Sequence, residues 1–232
     1  MHSQLDDNKA LKMVVDAASP QAFVGLLLNG QWLARCGLEG HTHESLFRGL
    51  RECLAQGHRE LEDVRGFIYG MGPGSTLGLR IAGLAVGAWR ALPAWKGTQL
   101  VGYSSLVYLG LMVAKKLGNE ARFPLSLLSE ARMGSWFHLR MTSATTWEPI
   151  ERVEGLQGLD LEGKHIYYWP QAKPWGASSL QDLPADRILR YELDELPQVL
   201  AVPGFLQQLD SPNPFELALP EYKTWEGKRH GG

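Results

Sequence analysis

The chain has 232 residues, enough for one large domain or two small ones, and could bury roughly 70–75% of the surface that it exposes when unfolded. A hydrophobic content of 44% and a charged content of 21% are ordinary for a globular protein, and a net charge of −2 provides no general field that attracts nucleic acid. The two cysteines, Cys36 and Cys53, do not make a disulfide framework, and neither has a second cysteine at metal-ligand spacing.

The beginning of the chain carries no targeting signal that we recognise. Residues 1–10 are polar and acidic, which predicts a disordered tail. The longest apolar run lies between Arg80 and Arg90 and is too short to cross a bilayer. We therefore expect a cytoplasmic protein without a membrane segment.

Three consecutive strands are predicted next. The stretch LKMVVDAAS favours a short strand that ends near Asp16 and Ser19. Asn29-Gly30 separates the apolar runs QAFVGLLL and QWLARCGL, and an Asn-Gly pair favours a type I′ hairpin because both central residues must accept positive φ. The second and third strands are therefore expected to be antiparallel.

Helices and strands then alternate. Apolar spacing predicts an amphipathic helix over residues 43–57, and VRGFIYGM indicates a buried fourth strand. Ser75 caps a predicted helix over residues 75–92, which Pro93 ends. TQLVGY and SSLVYLGLMVAKKLG add a fifth strand and a third helix. The order β-β-β-α-β-α-β-α is that of the ribonuclease-H-like half of the actin-like ATPase superfold, an α/β fold in which three antiparallel strands are continued by parallel ones.

The patterns weaken beyond about residue 121. LSLLSEARMGSWFHLRM predicts a strand pair, KHIYYWP another strand, and DELPQVLAVPGFLQQL a short helix broken by Pro203. Frequent Pro and Gly between residues 149 and 184 indicate loops. We predict a ribonuclease-H-like N-terminal subdomain over residues 11–118 and a smaller, degenerate C-terminal subdomain over residues 119–232.

The stretch FIYGMGPGSTLGLRIAGL resembles a phosphate-binding loop at first sight. A P-loop requires G-x-x-x-x-G-K-S/T, but no lysine occurs between Lys12 and Lys96. The dinucleotide pattern G-x-G-x-x-G also fails, because Ser75 or Leu77 stands where its last glycine should be. What remains is a tight strand-to-helix turn formed by Gly72, Pro73, Gly74 and Ser75.

The helix after this turn is rich in small residues. Three interior glycines, each costing about 0.5–1 kcal/mol relative to alanine, indicate that another backbone approaches closely. Large apolar residues lie all round the same helix. We therefore expect burial on more than one side, either within the domain or against a partner.

The stretch GMGPGSTLGLRIAGLAVGAWRAL resembles the G-R-G-P-G-S-F-T-G-L-R-I-G motif of the TsaB (YeaZ) family. MVVDAAS, ESLFRGL, LVGYSSL, EARMGSWF and LPEYK resemble further family motifs in the same order, from about Met13 to Lys223. Arg48 replaces a family proline and Glu130 a family aspartate, which indicates a divergent member. Proteins of this family are non-catalytic partners in bacterial synthesis of threonylcarbamoyladenosine (t6A) in tRNA.

The resemblance implies a scaffold without a cofactor. Such a scaffold binds a TsaD-like catalytic subunit and, with a TsaE-like ATPase, supports threonylcarbamoyl transfer to a tRNA adenosine. The chain would reach tRNA only through that complex and could pair with a second copy when alone. The family implies docking through helices 43–57 and 75–92 against equivalent helices of the partner. The interface residues that we predict are Leu46, Leu50, Leu79, Ala82, Gly83 and Val86.

Catalytic relatives of the TsaD type place an H-x-x-x-H metal site on the helix after the fifth strand. Here the corresponding residues 104–109 contain no histidine. His41 and His43 are close in sequence but are expected to face different ways at a helix start. No metal site is therefore predicted.

An alternative hypothesis is a stand-alone actin-like ATPase or an acyl or phosphoryl transferase that uses Asp16. In actin-like ATPases, the aspartate and hydroxyl after the first strand help to hold Mg²⁺ and phosphate. Asp16 and Ser19 occupy those places and could form a remnant nucleotide site. A capped turn after a strand is the other interpretation of the same residues.

Overall fold

Two β-sheets form the framework of the protein in a computed structural model. The structure describes residues 10–38, 42–131, 134–156, 159, 165–170 and 184–214. The tail predicted at residues 1–10 lies outside the described residues except for Ala10, and so does the LPEYK motif.

The described residues form eleven strands, which divide between the two sheets. The first sheet contains β1 Leu11–Asp16, β2 Ala22–Leu28, β3 Gln31–Leu38, β4 Val64–Gly72, β5 Gln99–Ser104 and β11 Gln207–Gln208. The second sheet contains β6 Leu125–Glu130, β7 Ser135–Ser143, β8 Thr146–Trp147, β9 Glu151–Glu154 and β10 His165–Trp169.

The first sheet has the order β11-β5-β4-β1-β2-β3. β1, β2 and β3 pair antiparallel, whereas β4 is parallel to β1 and β5 is parallel to β4. This is the predicted ribonuclease-H-like arrangement of three antiparallel strands continued by parallel ones. The β2–β3 turn is the predicted hairpin, with φ of 54° at Asn29 and 70° at Gly30.

Three α-helices connect these strands within the described part of the chain: α1 Thr42–Gly57, α2 Thr76–Arg90 and α3 Ser105–Leu117. Ser75 caps α2 as predicted, since its hydroxyl accepts a hydrogen bond of 3.2 Å from the amide of Gly78. Ser104 caps α3 in the same way. α2 ends at Arg90, a little before the predicted end near Leu92. The amide of Ala91 donates hydrogen bonds to carbonyls of its last turn. No helix among the described residues is long and apolar enough to cross a membrane.

The two faces of the first sheet are covered by different helices. Alternation along β1 places Met13 and Val15 on the face covered by α1 and α2, and Val14 on the opposite face. α3 covers that opposite face and also packs against the second sheet. The main core therefore continues from the first sheet through α3 into the second.

The second sheet contains more strands than the sequence predicts. The expected pair β6–β7 and the strand β10 are present. β8 and β9 were not predicted, because β8 spans only two residues and β9 is largely exposed and polar, so neither carries a clear apolar alternation.

The segment after residue 184 departs most from the prediction. The short helix expected before Pro203 is absent, and a single 3₁₀ turn over Leu196–Gln198 stands there instead. Pro197 and Pro203 leave too few residues between them for an α-helix. The chain then returns to the first sheet, where β11 pairs antiparallel with β5.

Residues 207–214, which we call the strap, run along α2. Arg90 at the end of α2 donates to the carbonyl of Asp210 at 3.2 Å. Pro212 lies over Gly83, so that a Cβ atom added to Gly83 would lie 2.4 Å from the Pro212 carbonyl oxygen. The close backbone approach predicted for this helix is therefore made by the chain itself.

We expect Gly83→Ala to destabilise the protein by about 1–3 kcal/mol, because its methyl group would overlap the backbone of the strap. Gly87→Ala is the matched control, since its Cβ would lie 3.7 Å from the Pro212 ring, an ordinary contact, and alanine favours the helix. Urea unfolding of the two variants measures the difference. Equal urea midpoints for Gly83→Ala and Gly87→Ala would show that the strap does not require a glycine at position 83.

Candidate functional site

The ends of β1 and β4 bring the two sequence motifs together. These strands are parallel neighbours, with Val15 opposite Tyr69, so their carboxyl ends meet at the same edge of the sheet. Asp16 ends β1, and Gly70 and the glycine turn follow at the end of β4. This edge is where ligands bind in many open α/β sheets.

Asp16 is buried at this edge, with 1% of its surface exposed. Its Oδ1 accepts a hydrogen bond of 2.7 Å from the amide of Ala18. Its Oδ2 accepts from the hydroxyl of Tyr103 at 2.5 Å and from that of Tyr191 at 2.7 Å. Both carboxylate oxygens are therefore bound by donors of the chain itself.

The burial of this cluster shifts its titration. Loss of solvent raises the pKa of Asp16 above its usual value of 3.8, although the hydrogen bonds from Tyr103, Ala18 and Tyr191 act in the opposite direction. Burial also raises the pKa of Tyr103 and of Tyr191, and the neighbouring Asp16 raises both further. These groups form a closed hydrogen-bonded cluster and not an exposed acid.

Aromatic contacts hold Tyr191 in place. Its ring stacks on Trp169 of β10 with centroids 4.8 Å apart and meets Tyr108 of α3 edge-on at 5.8 Å. The Tyr108 hydroxyl in turn donates to the carbonyl of Glu192 at 2.5 Å. Tyr191 is thus positioned by both the second sheet and α3.

The glycines of the motif give room to other groups of the chain, which occupy the space beside Gly70 and Gly74. A Cβ atom on Gly70 would lie 1.9 Å from Oδ2 of Asp16. A Cβ atom on Gly74 would lie 2.4 Å from the carbonyl oxygen of Ala18, and this carbonyl already accepts a hydrogen bond of 2.7 Å from the amide of Ser75. Gly72 alone in the turn has a left-handed φ, 100°.

The structure does not bring Asp16 and Ser19 together as a nucleotide site. The Ser19 hydroxyl donates to the carbonyl of Gln21 at 2.8 Å. Ser19 lines an open cleft of about 270 Å³ that Tyr191 also lines but Asp16 does not. Arg35 and Asp194, which also line this cleft, form an ion pair with each other. Tyr191 therefore separates the carboxyl group of Asp16 from the surface.

Among the described residues, no three His, Cys, Asp or Glu side chains come together in a group that could hold a metal ion. At the start of α3, Ser104 and Ser105 are buried beside the first sheet. His41 lies outside the described residues, as does the side chain of His43.

The six residues predicted from the sequence as partner contacts all lie in the interior. They are Leu46, Leu50, Leu79, Ala82, Gly83 and Val86. The side chains of the first two belong to α1 and face the first sheet, whereas Gly83 lies beneath the strap. The surface that these two helices offer to another molecule therefore belongs to other residues.

Among the described residues, the large apolar side chains with the greatest exposure are Phe47 on α1 and Leu77 and Leu84 on α2, and we call these three the apolar face. Their exposed fractions are 50%, 70% and 75%. Leu77 and Leu84 lie two turns apart on one side of α2, with exposed Arg80 between them. Phe47 meets Trp89 of α2 edge-on at 5.4 Å and so places α1 beside that helix. The sequence signal for this face is the seven-residue spacing of Leu77 and Leu84, which places both on one side of α2.

The strand order and pairing define a mixed α/β protein whose first sheet is ribonuclease-H-like and which has a second sheet. Among solved structures, YeaZ from Pseudomonas aeruginosa is similar to it, with a TM-score of 0.54, 16% identity, and coverage of 69% of this chain and 74% of that chain. An uncharacterized protein with similarity to peptidase YeaZ from Pseudomonas aeruginosa has a TM-score of 0.55, 17% identity, and coverage of 69% and 75%. No protein-family model matches the sequence, and no curated protein matches it significantly.

These comparisons confirm the predicted fold. The protein has the fold of YeaZ, in agreement with the resemblance carried by the glycine motif. At these identities the likeness concerns the fold alone.

We expect the stability that Asp16 contributes to decrease as pH rises. A pKa raised on folding means that the folded protein binds the proton more tightly, so this contribution is complete below pH 3.8 and is lost as pH rises through the folded-state pKa. The free energy of unfolding of the wild type, measured relative to Asp16→Asn by urea unfolding across pH, should therefore fall above pH 3.8 and then level off. A difference that increases with pH would show that the hydroxyl donors outweigh burial.

Proposed function

We propose that this protein is a TsaB-like scaffold subunit in the synthesis of t6A in tRNA. The observation that carries the proposal is the apolar face of α1 and α2 on a fold similar to that of YeaZ. Leu77 and Leu84 are large, apolar and mostly exposed, and side chains of this kind grouped on one helix face are typical of protein interfaces. The partner that we assign to this face is a TsaD-like catalytic subunit, with a TsaE-like ATPase completing the assembly.

The arrangement of the two helices supports docking by helix packing. α1 and α2 lie side by side, with Phe47 against Trp89, and could meet two equivalent helices as a four-helix layer. Arg80 between the leucines provides a polar group at the edge of the contact. The six predicted residues in the interior would then support this pair of helices from beneath, while the apolar face makes the contact.

The state of Asp16 supports a role without catalysis by this subunit. A carboxylate that holds Mg²⁺ through water or directly needs a free oxygen directed at the ligand. Both oxygens of Asp16 are bound by Ala18, Tyr103 and Tyr191, and Tyr191 lies between Asp16 and the cleft. The proposed transfer reaction would therefore take place on the TsaD-like subunit.

The remaining features of the proposal follow from the same assembly. tRNA would be bound through the complex, which agrees with the small net charge of −2. Two copies could pair through the apolar face when the catalytic partner is absent. A role in tRNA modification would place the protein in the cytoplasm.

We expect Leu84→Asp to weaken capture of the co-expressed TsaD-like subunit by at least about tenfold. In the complex, an unpaired carboxylate would then be buried where the wild type makes an apolar contact. Its unfolding midpoint should stay close to that of the wild type, since Leu84 is 75% exposed. Leu61→Asp is the control, because Leu61 is exposed at 36% but lies in the turn before β4, outside α1 and α2. If Leu84→Asp captures as much TsaD-like subunit as the wild type does, the proposed docking face is wrong.

Calorimetry on the isolated chain tests the competing ATPase function. Since Asp16 is closed off by protein donors, we expect no Mg²⁺-dependent binding of ATP. Tight Mg²⁺-dependent binding that is lost in Asp16→Asn would instead favour a stand-alone ATPase or transferase.

A further inference from the structure

The only two cysteines of the chain meet in the interior, although they are far apart in the sequence. Cys36 lies on β3 and Cys53 on α1, and their Sγ atoms are 3.3 Å apart. Both are free thiols, and their exposed fractions are 7% for Cys36 and 0% for Cys53. The pair links the outer strand of the first sheet to the helix that covers it.

The surroundings of the two sulfur atoms differ. The Gln56 side-chain amide donates to Sγ of Cys36 at 3.7 Å, and the Cys53 thiol can also donate to that sulfur. The second acceptor for the Cys53 thiol is the carbonyl of Val24 at 3.2 Å. Burial raises the pKa of the Cys53 thiol, and the neighbouring Cys36 raises it further. Cys36 is therefore the cysteine whose sulfur has two possible donors, and it is also the less completely buried residue of the two.

We propose that Cys36 and Cys53 form an intramolecular disulfide when the protein meets a hydroperoxide. The Cys36 sulfur attacks one peroxide oxygen, the O–O bond breaks, the other oxygen takes the thiol proton and leaves as water, and Cys36 becomes a sulfenic acid. The Cys53 sulfur then attacks the Cys36 sulfur and displaces the hydroxyl group as water. In total, two thiols and one hydrogen peroxide give one disulfide and two waters, so the thiols are oxidised and the peroxide is reduced.

The geometry permits this step with little movement. A disulfide has an S–S distance of about 2.05 Å, so the two sulfur atoms at 3.3 Å must approach by about 1.2 Å. Two side chains can share such a shift by small rotations about their Cα–Cβ bonds. Hydrogen peroxide is little larger than water, which suits a sulfur atom that is almost enclosed.

The cross-link would fix α1 to β3. It would close a loop between residues separated by 17 positions and so restrict the unfolded chain. Through α1 it would also hold the element that carries Phe47. The disulfide would lie in the interior between β3 and α1, and its formation requires no partner.

Treatment of the purified, reduced full-length chain with hydrogen peroxide tests the proposal. Peptide mass spectrometry without reductant should find the peptides containing Cys36 and Cys53 linked within one chain, with both free thiols lost. The melting temperature should rise by roughly 6–12 °C, as expected for a cross-link over a loop of this length in a chain of this size, and the rise should reverse on reduction.

Two variants separate the roles of the sulfur atoms. Cys53→Ser should accumulate a sulfenic acid at Cys36 that dimedone traps, whereas Cys53 should remain unmodified in Cys36→Ser. The wild-type measurements stand by themselves if a variant does not fold. The proposal is overturned if both wild-type thiols remain titratable, if only linkage between two chains is found, or if peroxide leaves Cys36 as an unlinked acid.

Discussion

Tyr103 and Tyr191 donate to the same oxygen of Asp16, and this contact joins parts of the chain that are up to 175 residues apart. Asp16 ends β1, Tyr103 belongs to β5, and Tyr191 comes from the segment that follows the second sheet. Because Tyr191 is also stacked on Trp169, the carboxyl group of Asp16 connects the two sheets in addition to the packing through α3. Burying that group is unfavourable by itself, and it becomes acceptable because every oxygen has a donor.

The glycines of the motif and of α2 stand where other groups of the chain come very close to the backbone. Gly70 gives room to Asp16, Gly74 gives room to Ala18, and Gly83 gives room to Pro212. Each removes a side chain where a backbone or a buried carboxyl group must lie close. In a nucleotide-binding protein, similar glycines let phosphate oxygens approach the backbone. Here groups of the chain fill the same kind of space, so the motif stabilises the fold.

Sequence reasoning succeeded where the determinants are local. Asn29-Gly30 specified the hairpin, and the apolar periods with the Ser75 cap specified α1 and α2. It did not find β8, β9 or β11, which are short and carry little apolar alternation. The surroundings of Asp16 and of the cysteine pair depend on contacts across many residues, and a single sequence contains no local signal for them. For the same reason the sequence predicts Gly83 of α2 as a partner contact, because no local pattern indicates that the strap covers it.

The strap also determines when this protein can finish folding during its synthesis. β1 to β5, α1 and α2 leave the ribosome well before residues 207–214, and Asp210 meets Arg90 across a separation of 120 residues. Until then, β5 presents an unpaired edge and α2 an uncovered row of glycines. Such exposed edges favour pairing with other chains, and contacts of such long range slow folding. The N-terminal half is therefore most open to pairing with other chains in the interval before the strap is made.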